Sequence, residues 1–204
     1  MNAHEIFVEN KFKQVAKLIP ENSKILDIGC GDGSIRNFLK NSDYYGIDGD
    51  KNLILELTKQ KIKAKQADLN KEELPFKKEK FDFILLLDIL EHVANPAKLL
   101  DIAKSRIKPE GKIIITLPND YHVLNKIRFL FNKHLTEDPF APYGHLHYFP
   151  IKSGEAFIRK NGFKIEKRIF LPPVKPQTIP QPIKNSLTIL FPQAFARDTL
   201  YLLS

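Results

Sequence analysis

The residues best placed to do chemistry lie between Ile25 and Ser34, ILDIGCGDGS, where an apolar run reaches Asp27 and passes into glycine at alternate positions, Gly29, Gly31 and Gly33. Glycine lacks a Cβ and reaches positive φ at little cost, so such a loop turns sharply and lets a ligand approach backbone N–H groups. A dinucleotide fingerprint, G-x-G-x-x-G, needs its third glycine at position 34, but Ser34 stands there and the glycine falls one residue early. Asp27 and Asp32 bracket the loop, and their charges oppose a pyrophosphate. A cationic or zwitterionic ligand fits better than NAD or FAD. Cys30, inside the loop, is the only cysteine of the chain. With no histidine beside it in sequence, it reads as a small packed residue rather than a nucleophile.

Such a loop works only at the end of a strand that a sheet holds in place. Apolar runs alternate with amphipathic stretches, giving strands near residues 24–28, 44–47, 62–66, 81–87 and 112–117 with helices between them. This spacing predicts an α/β fold: a doubly wound, mostly parallel sheet with helices on both faces. The nearly all-apolar run at 83–87, FILLL, suits a central strand. Asn95 caps the next helix, Pro96 opens it, and Pro109 with Gly111 stop it. Ser34 is predicted to cap a short helix over 35–40. Ile6, Phe7, Phe12, Val15, Ala16 and Leu18 suit an amphipathic helix ahead of the first strand. Residues 163–170 and 195–203 read as the last two strands. Asp27, Asp48, Asp68 and Asp88 then sit at or near carboxyl ends of strands, where an open α/β sheet forms its ligand crevice.

Two segments break the alternation. Residues 119–150 are longer than an ordinary connection and are predicted to form a substrate cap, with a basic amphipathic helix within VLNKIRFLFNKHL. Residues 171–192 hold Pro172, Pro173, Pro176, Pro180, Pro182 and Pro192 and are predicted to be stiff and extended, outside the sheet. Residues 1–204 read as a single domain carrying that cap.

The chain resembles the class I S-adenosylmethionine-dependent methyltransferases, in their small-molecule branch, through five motifs in the family's order: ILDIGCGDGS, YYGIDGD, QADL, FDFILLLDILEHV and IKPEGKIIITLP. The resemblance implies a Rossmann-like seven-stranded sheet whose last strand is antiparallel, with S-adenosylmethionine as cofactor and S-adenosylhomocysteine as product. It places Asp27, Gly29, Cys30, Gly31, Gly33 and Asp88 at the cofactor. Asp48 matches the carboxylate that accepts both ribose hydroxyls, Asp68 the acceptor from the adenine amino group, and Leu69 a neighbour of the ring. Gly49 stands where the family usually has a larger residue beside the adenine, so stacking there is weaker or supplied from elsewhere. The run GHLHYF resembles a tail motif of the small-molecule branch, in which His145 matches a histidine able to take a proton from an acceptor hydroxyl. His92, Tyr121, Tyr143 and His147 are further acceptor-side candidates. The tetrapeptide with which the family grips a base amine is replaced by DILE, which argues against methylation of DNA bases.

Hydrophobic residues make up 43% of the chain and charged residues 27%, an ordinary globular composition. A single cysteine permits no internal disulfide and points to a reducing, cytoplasmic setting. The net charge of +8 raises nucleic acid or an anionic membrane surface as partners. The lysines alternate with acids along the whole chain, however, as on a solvated surface. The expected function is methylation of a small quinone-, sugar- or lipid-like acceptor, most simply at oxygen, by a monomer or homodimer. The alternatives are an RNA-modifying methyltransferase and a non-catalytic partner that keeps the fold. No histidine, cysteine and carboxylate spacing suggests a metal site.

Overall fold

The computed structural model describes residues 1–71, 73–131 and 144–204. Seven strands form one sheet: β1 (Lys24–Ile28), β2 (Asp43–Asp48), β3 (Lys63–Gln66), β4 (Phe81–Leu87), β5 (Ile107–Pro118), β6 (Ile165–Leu171) and β7 (Asp198–Leu203). Their order is β3-β2-β1-β4-β5-β7-β6. β1 to β5 pair in parallel, and β7 runs antiparallel to both its neighbours. The winding reverses between β1 and β4, so the crevice opens beyond the carboxyl ends of these two strands, where the glycine loop lies.

Side chains alternate across the sheet with the period of two that strands impose. Leu26, Ile28, Ile84, Leu86, Ile113, Ile115 and Tyr201 face one core, which is covered by α3 (Pro96–Arg106) and α5 (Ile151–Lys160). Ile25, Phe83, Leu85, Ile114 and Leu200 face the other, under α1 (Ala3–Ala16) and α2 (Lys51–Lys59). Each fully buried Leu or Ile contributes about 1.5 to 3 kcal/mol, so burial on both faces fixes where the strand ends lie. α1 begins in a capping box: Asn2 Oδ1 accepts from the His4 and Glu5 N–H groups, and Glu5 returns a carboxylate to the Asn2 N–H. Its buried stripe is Ala3, Phe7, Lys11 and Val15, and the lysine in that stripe is the first sign of a site beneath the helix.

Three local expectations fail. Ser34 is not a cap: its hydroxyl donates to Asp32, the cap position is Gly33 in the left-handed region, and a 3₁₀ turn (Ser34–Phe38) replaces the helix. The proline-rich stretch is not extended throughout, because α6 (Gln181–Leu190) starts at Gln181 with Pro182 in its first turn, where proline costs no hydrogen bond. The last strand starts at Asp198 rather than 195, since α7 (Pro192–Phe195) occupies the residues before it. In the predicted cap, α4 (Val123–Leu130) forms, and residues 132–143, including Tyr143, lie outside the described residues. Among the described residues no helix is long and apolar enough to cross a membrane.

Candidate active site

The glycine loop is folded for two different reasons. At Gly29 (φ 81°) an added Cβ would stand 2.7 Å from the Ile89 side chain, so glycine there lets the loop pack against the turn after β4. At Gly31 (φ 54°) nothing lies within 4 Å of that position, and the loop faces open space. Gly33 packs over Leu57. Cys30 points down between the layers, its Sγ occupying the room left by Gly46, and burial pushes its thiol pKa far up. It is a packing residue, and any contact it makes with a ligand is through its backbone.

Beside the loop stand two carboxylates in opposite states. Asp48, at the end of β2, accepts from the Gly31 N–H at 2.8 Å and the Asp50 N–H at 2.9 Å, one on each oxygen, which leaves lone pairs for a diol. Asp27 is 2% exposed and accepts a 2.6 Å bond from the Tyr44 hydroxyl on Oδ2, while its Oδ1 has no hydrogen-bond partner among the described residues. Burial pushes Asp27 up to about 7, with the Asp48 charge adding to the effect and the Tyr44 bond opposing it. A buried oxygen with no donor is costly. A ligand ammonium supplies the donor and the charge that this oxygen lacks, so the pair of acceptors fits S-adenosylmethionine. Gly49 is open as well, the nearest atom to its missing Cβ being the Ala67 carbonyl oxygen at 3.8 Å. Asp68 is exposed, with Oδ1 accepting from the Asn70 N–H at 3.0 Å, and Leu69 is half-buried against the core.

Asp88, expected at the cofactor, is held in a network of its own. Its carboxylate is shared between Lys11 and the Thr116 hydroxyl, which donates at 2.6 Å, and the Asp88 N–H donates back to Thr116 Oγ1 at 2.9 Å. These bonds hold Asp88 at φ 51°, a left-handed conformation that costs about 1 kcal/mol or more. Lys11, 3% exposed, also reaches Asp198 Oδ2 at 2.5 Å. Burial raises Asp198 to about 6 despite the ammonium, whereas at Asp88 the lysine outweighs burial and holds the carboxyl below its usual range.

Lys11, Asp88 and Asp198 line a cavity of about 260 Å³ together with Glu91, His92, Asp120, His122, His145 and Arg197. Two distant motifs meet there because their backbones join: the Leu146 and His147 N–H groups both donate to the Glu91 carbonyl, at 2.7 and 3.2 Å. His145 Nδ1 lies 3.1 Å from Asp120 Oδ1, a contact that raises the imidazole's pKa, and its ring meets that of His92 edge-on at 5.0 Å. Glu91 is 1% exposed, and burial next to Asp88 pushes it up to about 9. His147 is tied by Nε2 to the Val93 carbonyl at 3.0 Å and Tyr121 is exposed; neither lines the cavity. A second, more apolar cavity of about 870 Å³ adjoins it, sharing His4, His122, Asn125 and Arg197 and walled by Leu124, Ile127, Ile179 and Leu187. The sequence reading missed Lys11, Asp120 and Asp198. Only Lys11 carries a signal, as a charge four residues after Phe7 and four before Val15 on an otherwise apolar stripe.

The model of a methyltransferase domain matches residues 3–168. A protein of Methanocaldococcus jannaschii is 30% identical over 169 residues, 78% of this chain and 72% of its own length. A ubiquinone biosynthesis O-methyltransferase of Alkalilimnicola ehrlichii is 29% identical over 106 residues, 48% of this chain and 43% of the enzyme. An S-adenosylmethionine-dependent methyltransferase from Mesorhizobium loti superposes with a TM-score of 0.64 at 18% identity, covering 93% of this chain and 95% of that one, which shows a common fold. With the family matched over most of its length and the crevice acceptors suited to the cofactor, the chain belongs to the S-adenosylmethionine-dependent methyltransferases.

Proposed function

We propose that this methyltransferase methylates a hydroxyl oxygen of a small, partly apolar acceptor. The observation that carries the reading is the Asp120–His145 pair in a polar cavity that adjoins a larger apolar one. S-adenosylmethionine supplies an electrophilic methyl group on a sulfonium sulfur. Asp48 offers its remaining lone pairs to the ribose diol, Asp27 Oδ1 accepts from the cofactor's ammonium, and Asp68 with Leu69 serves the adenine end. An acceptor hydroxyl becomes a strong nucleophile as its proton leaves, and His145, with Nδ1 tied to Asp120, has Nε2 for that proton. Asp120 orients the ring and favours its protonated form. The apolar cavity suits a hydrocarbon or aromatic tail. The Alkalilimnicola relative, a ubiquinone biosynthesis O-methyltransferase, supports a quinone-like acceptor. The single cysteine supports a reducing cytoplasmic setting.

The test is transfer of a labelled methyl group to extracted metabolites. His145→Ala should lower kcat by about 10² to 10⁴ with S-adenosylhomocysteine affinity unchanged. Undiminished transfer by that variant would refute the role of His145. Asp48→Ala should weaken S-adenosylhomocysteine by about 1.5 to 3 kcal/mol in calorimetry, the scale of a charge-assisted hydrogen bond.

A further inference from the structure

The polar cavity holds a constellation that proton transfer alone does not use. Glu91, His92 and His145 each bring an atom able to ligate a metal, and the three atoms lie within 4.8 Å of one another. The two histidines are oriented alike. His145 Nδ1 is 3.1 Å from Asp120 Oδ1, and His92 Nδ1 is 3.3 Å from the Gly144 carbonyl oxygen. An imidazole that gives one N–H to a carboxylate or carbonyl is held in the tautomer whose other nitrogen can ligate a metal. His92 Nε2 stands 4.0 Å from Glu91 Oε1. The Glu91 side chain is almost fully buried, lines the same cavity, and has its Oε2 without a hydrogen-bond partner among the described residues. A buried carboxyl oxygen in that condition calls for a proton, a water or a cation to complete it, and here two imidazoles stand beside it.

We infer that Glu91, His92 and His145 together bind one divalent first-row transition-metal ion. Two imidazoles and a carboxylate suit Mn²⁺, Fe²⁺, Co²⁺ or Zn²⁺, whereas Mg²⁺ prefers an all-oxygen shell. Ligand atoms about 2.1 Å from an ion lie roughly 3 to 3.5 Å apart, so each side chain has to close in by less than about 1 Å. Asp120 and the Gly144 carbonyl form the outer shell that fixes the rings. Three protein ligands leave coordination positions open toward the cavity. The consequence for catalysis rests on the methyl-transfer reading; the ion site does not. With an ion present, its charge would lower the pKa of an acceptor hydroxyl bound to it so that the proton leaves to water in the open cavity, and His145 would then serve as a ligand in place of the base it is in the ion-free site. The sequence shows no metal-ligand spacing because the fold joins His145 to a turn more than fifty residues earlier.

Cobalt is the probe. Tag-free, chelator-treated protein titrated with Co²⁺ should develop a visible absorption band that saturates at one ion per chain and is displaced by Zn²⁺. Glu91→Gln, which keeps the side-chain shape, and His92→Ala should each weaken Co²⁺ at least about 10-fold, while His147→Ala leaves it unchanged. Calorimetry with S-adenosylhomocysteine on the same samples reports separately on fold and cofactor site, so a failure of the methyl-transfer reading is seen there. No saturable band at about 1 mM Co²⁺ in protein that binds S-adenosylhomocysteine would overturn the ion site, as would equal binding by wild type, Glu91→Gln and His92→Ala.

Discussion

Ionisation of Asp27 should govern how tightly the cofactor is held. The carboxyl is buried at the end of β1, bonded on one oxygen to Tyr44 and on the other to nothing among the described residues, and its pKa is raised from 3.8 to about 7. That displacement corresponds to about 4 kcal/mol against the charged form, the ceiling on what a ligand cation can recover. Taken alone, the group stabilises the free fold most below pH 4, and the contribution is lost as pH rises through about 7. Binding runs the other way. A cationic ligand favours the ionised carboxylate, so affinity should rise with pH and binding should release a proton. With a pKa of about 7, roughly 3% of Asp27 is ionised at pH 5.5 and roughly 90% at pH 8, which predicts an affinity change of about 30-fold, or about 2 kcal/mol.

Calorimetry with S-adenosylhomocysteine across pH 5.5 to 8, repeated in buffers of different ionisation enthalpy, measures both the affinity and the proton count. At pH 6 the wild type should release about 0.9 proton. Asp27→Asn keeps the shape and the Tyr44 contact but cannot ionise, so its affinity should stay near the wild-type value at low pH and lose most of its pH dependence. That variant also subtracts the titration of the ligand's own groups. A flat wild-type profile, or the same slope in Asp27→Asn, would refute the reasoning.

Two further predictions concern the roof of the polar cavity and the outer surface. Lys11→Met leaves the carboxylates of Asp88 and Asp198 facing each other without an ammonium, and urea denaturation should show a loss of about 3 to 5 kcal/mol, largely restored by adding Asp198→Asn; a loss under about 1 kcal/mol would mean the pair is not what holds α1 over the cavity. On α4 and just after it, Phe129, Leu130 and Phe131 are 69%, 79% and 73% exposed next to Lys126 and Arg128. Flotation with anionic vesicles at low salt should carry the protein upward, and both added salt and Phe129→Ser with Phe131→Ser should reduce it; wild-type protein that stays with the soluble fraction would exclude membrane contact through this surface.

The parts of this protein that could be read in advance are those set by short-range pattern. Apolar runs placed the central strands closely, because a strand covered on both faces needs a continuous apolar stretch, but β5 begins at Ile107 and takes in the Pro109 and Gly111 expected to stop the helix before it. Strand-end position likewise located Asp27 and Asp48 beside the crevice. The positive φ of Gly29, Gly31 and Gly33 follows from the loop's own sequence, but the neighbour that bars a side chain at Gly29 is long-range: Ile89, from the turn after β4, which no inspection of the loop alone reveals. Residues 181–190 became helical although proline surrounds them, since a proline in the first turn has no intrahelical partner to lose.

The catalytic side of the site is the least legible because it is assembled by contacts across the sheet's end. Lys11 comes from the first helix, Asp88, Glu91 and His92 from the turn after β4, Asp120 from the end of β5, His145 from the far end of the predicted cap, and Asp198 from the start of β7. Asp88, His92 and His145 stand out in sequence, but Asp120 and Asp198 do not, and Lys11 does so only as a charge on an apolar stripe; a lysine on a helix or an aspartate before a strand is ordinarily solvated. Their burial follows from topology: inserting β7 antiparallel beside β5 brings Asp198 level with Pro118, next to the residues that bind Asp88 and His145. The same strand pairing therefore gathers Asp88, Asp120 and Asp198 around Lys11 and Arg197. Lys11 and Arg197 answer Asp88 and Asp198 there, whereas Glu91 Oε2 keeps no hydrogen-bond partner among the described residues, and the cofactor side repeats that pattern at Asp27 Oδ1. Both halves of the crevice are thus built to be completed by cations, which is the property that the Asp27 titration and the cobalt titration measure independently.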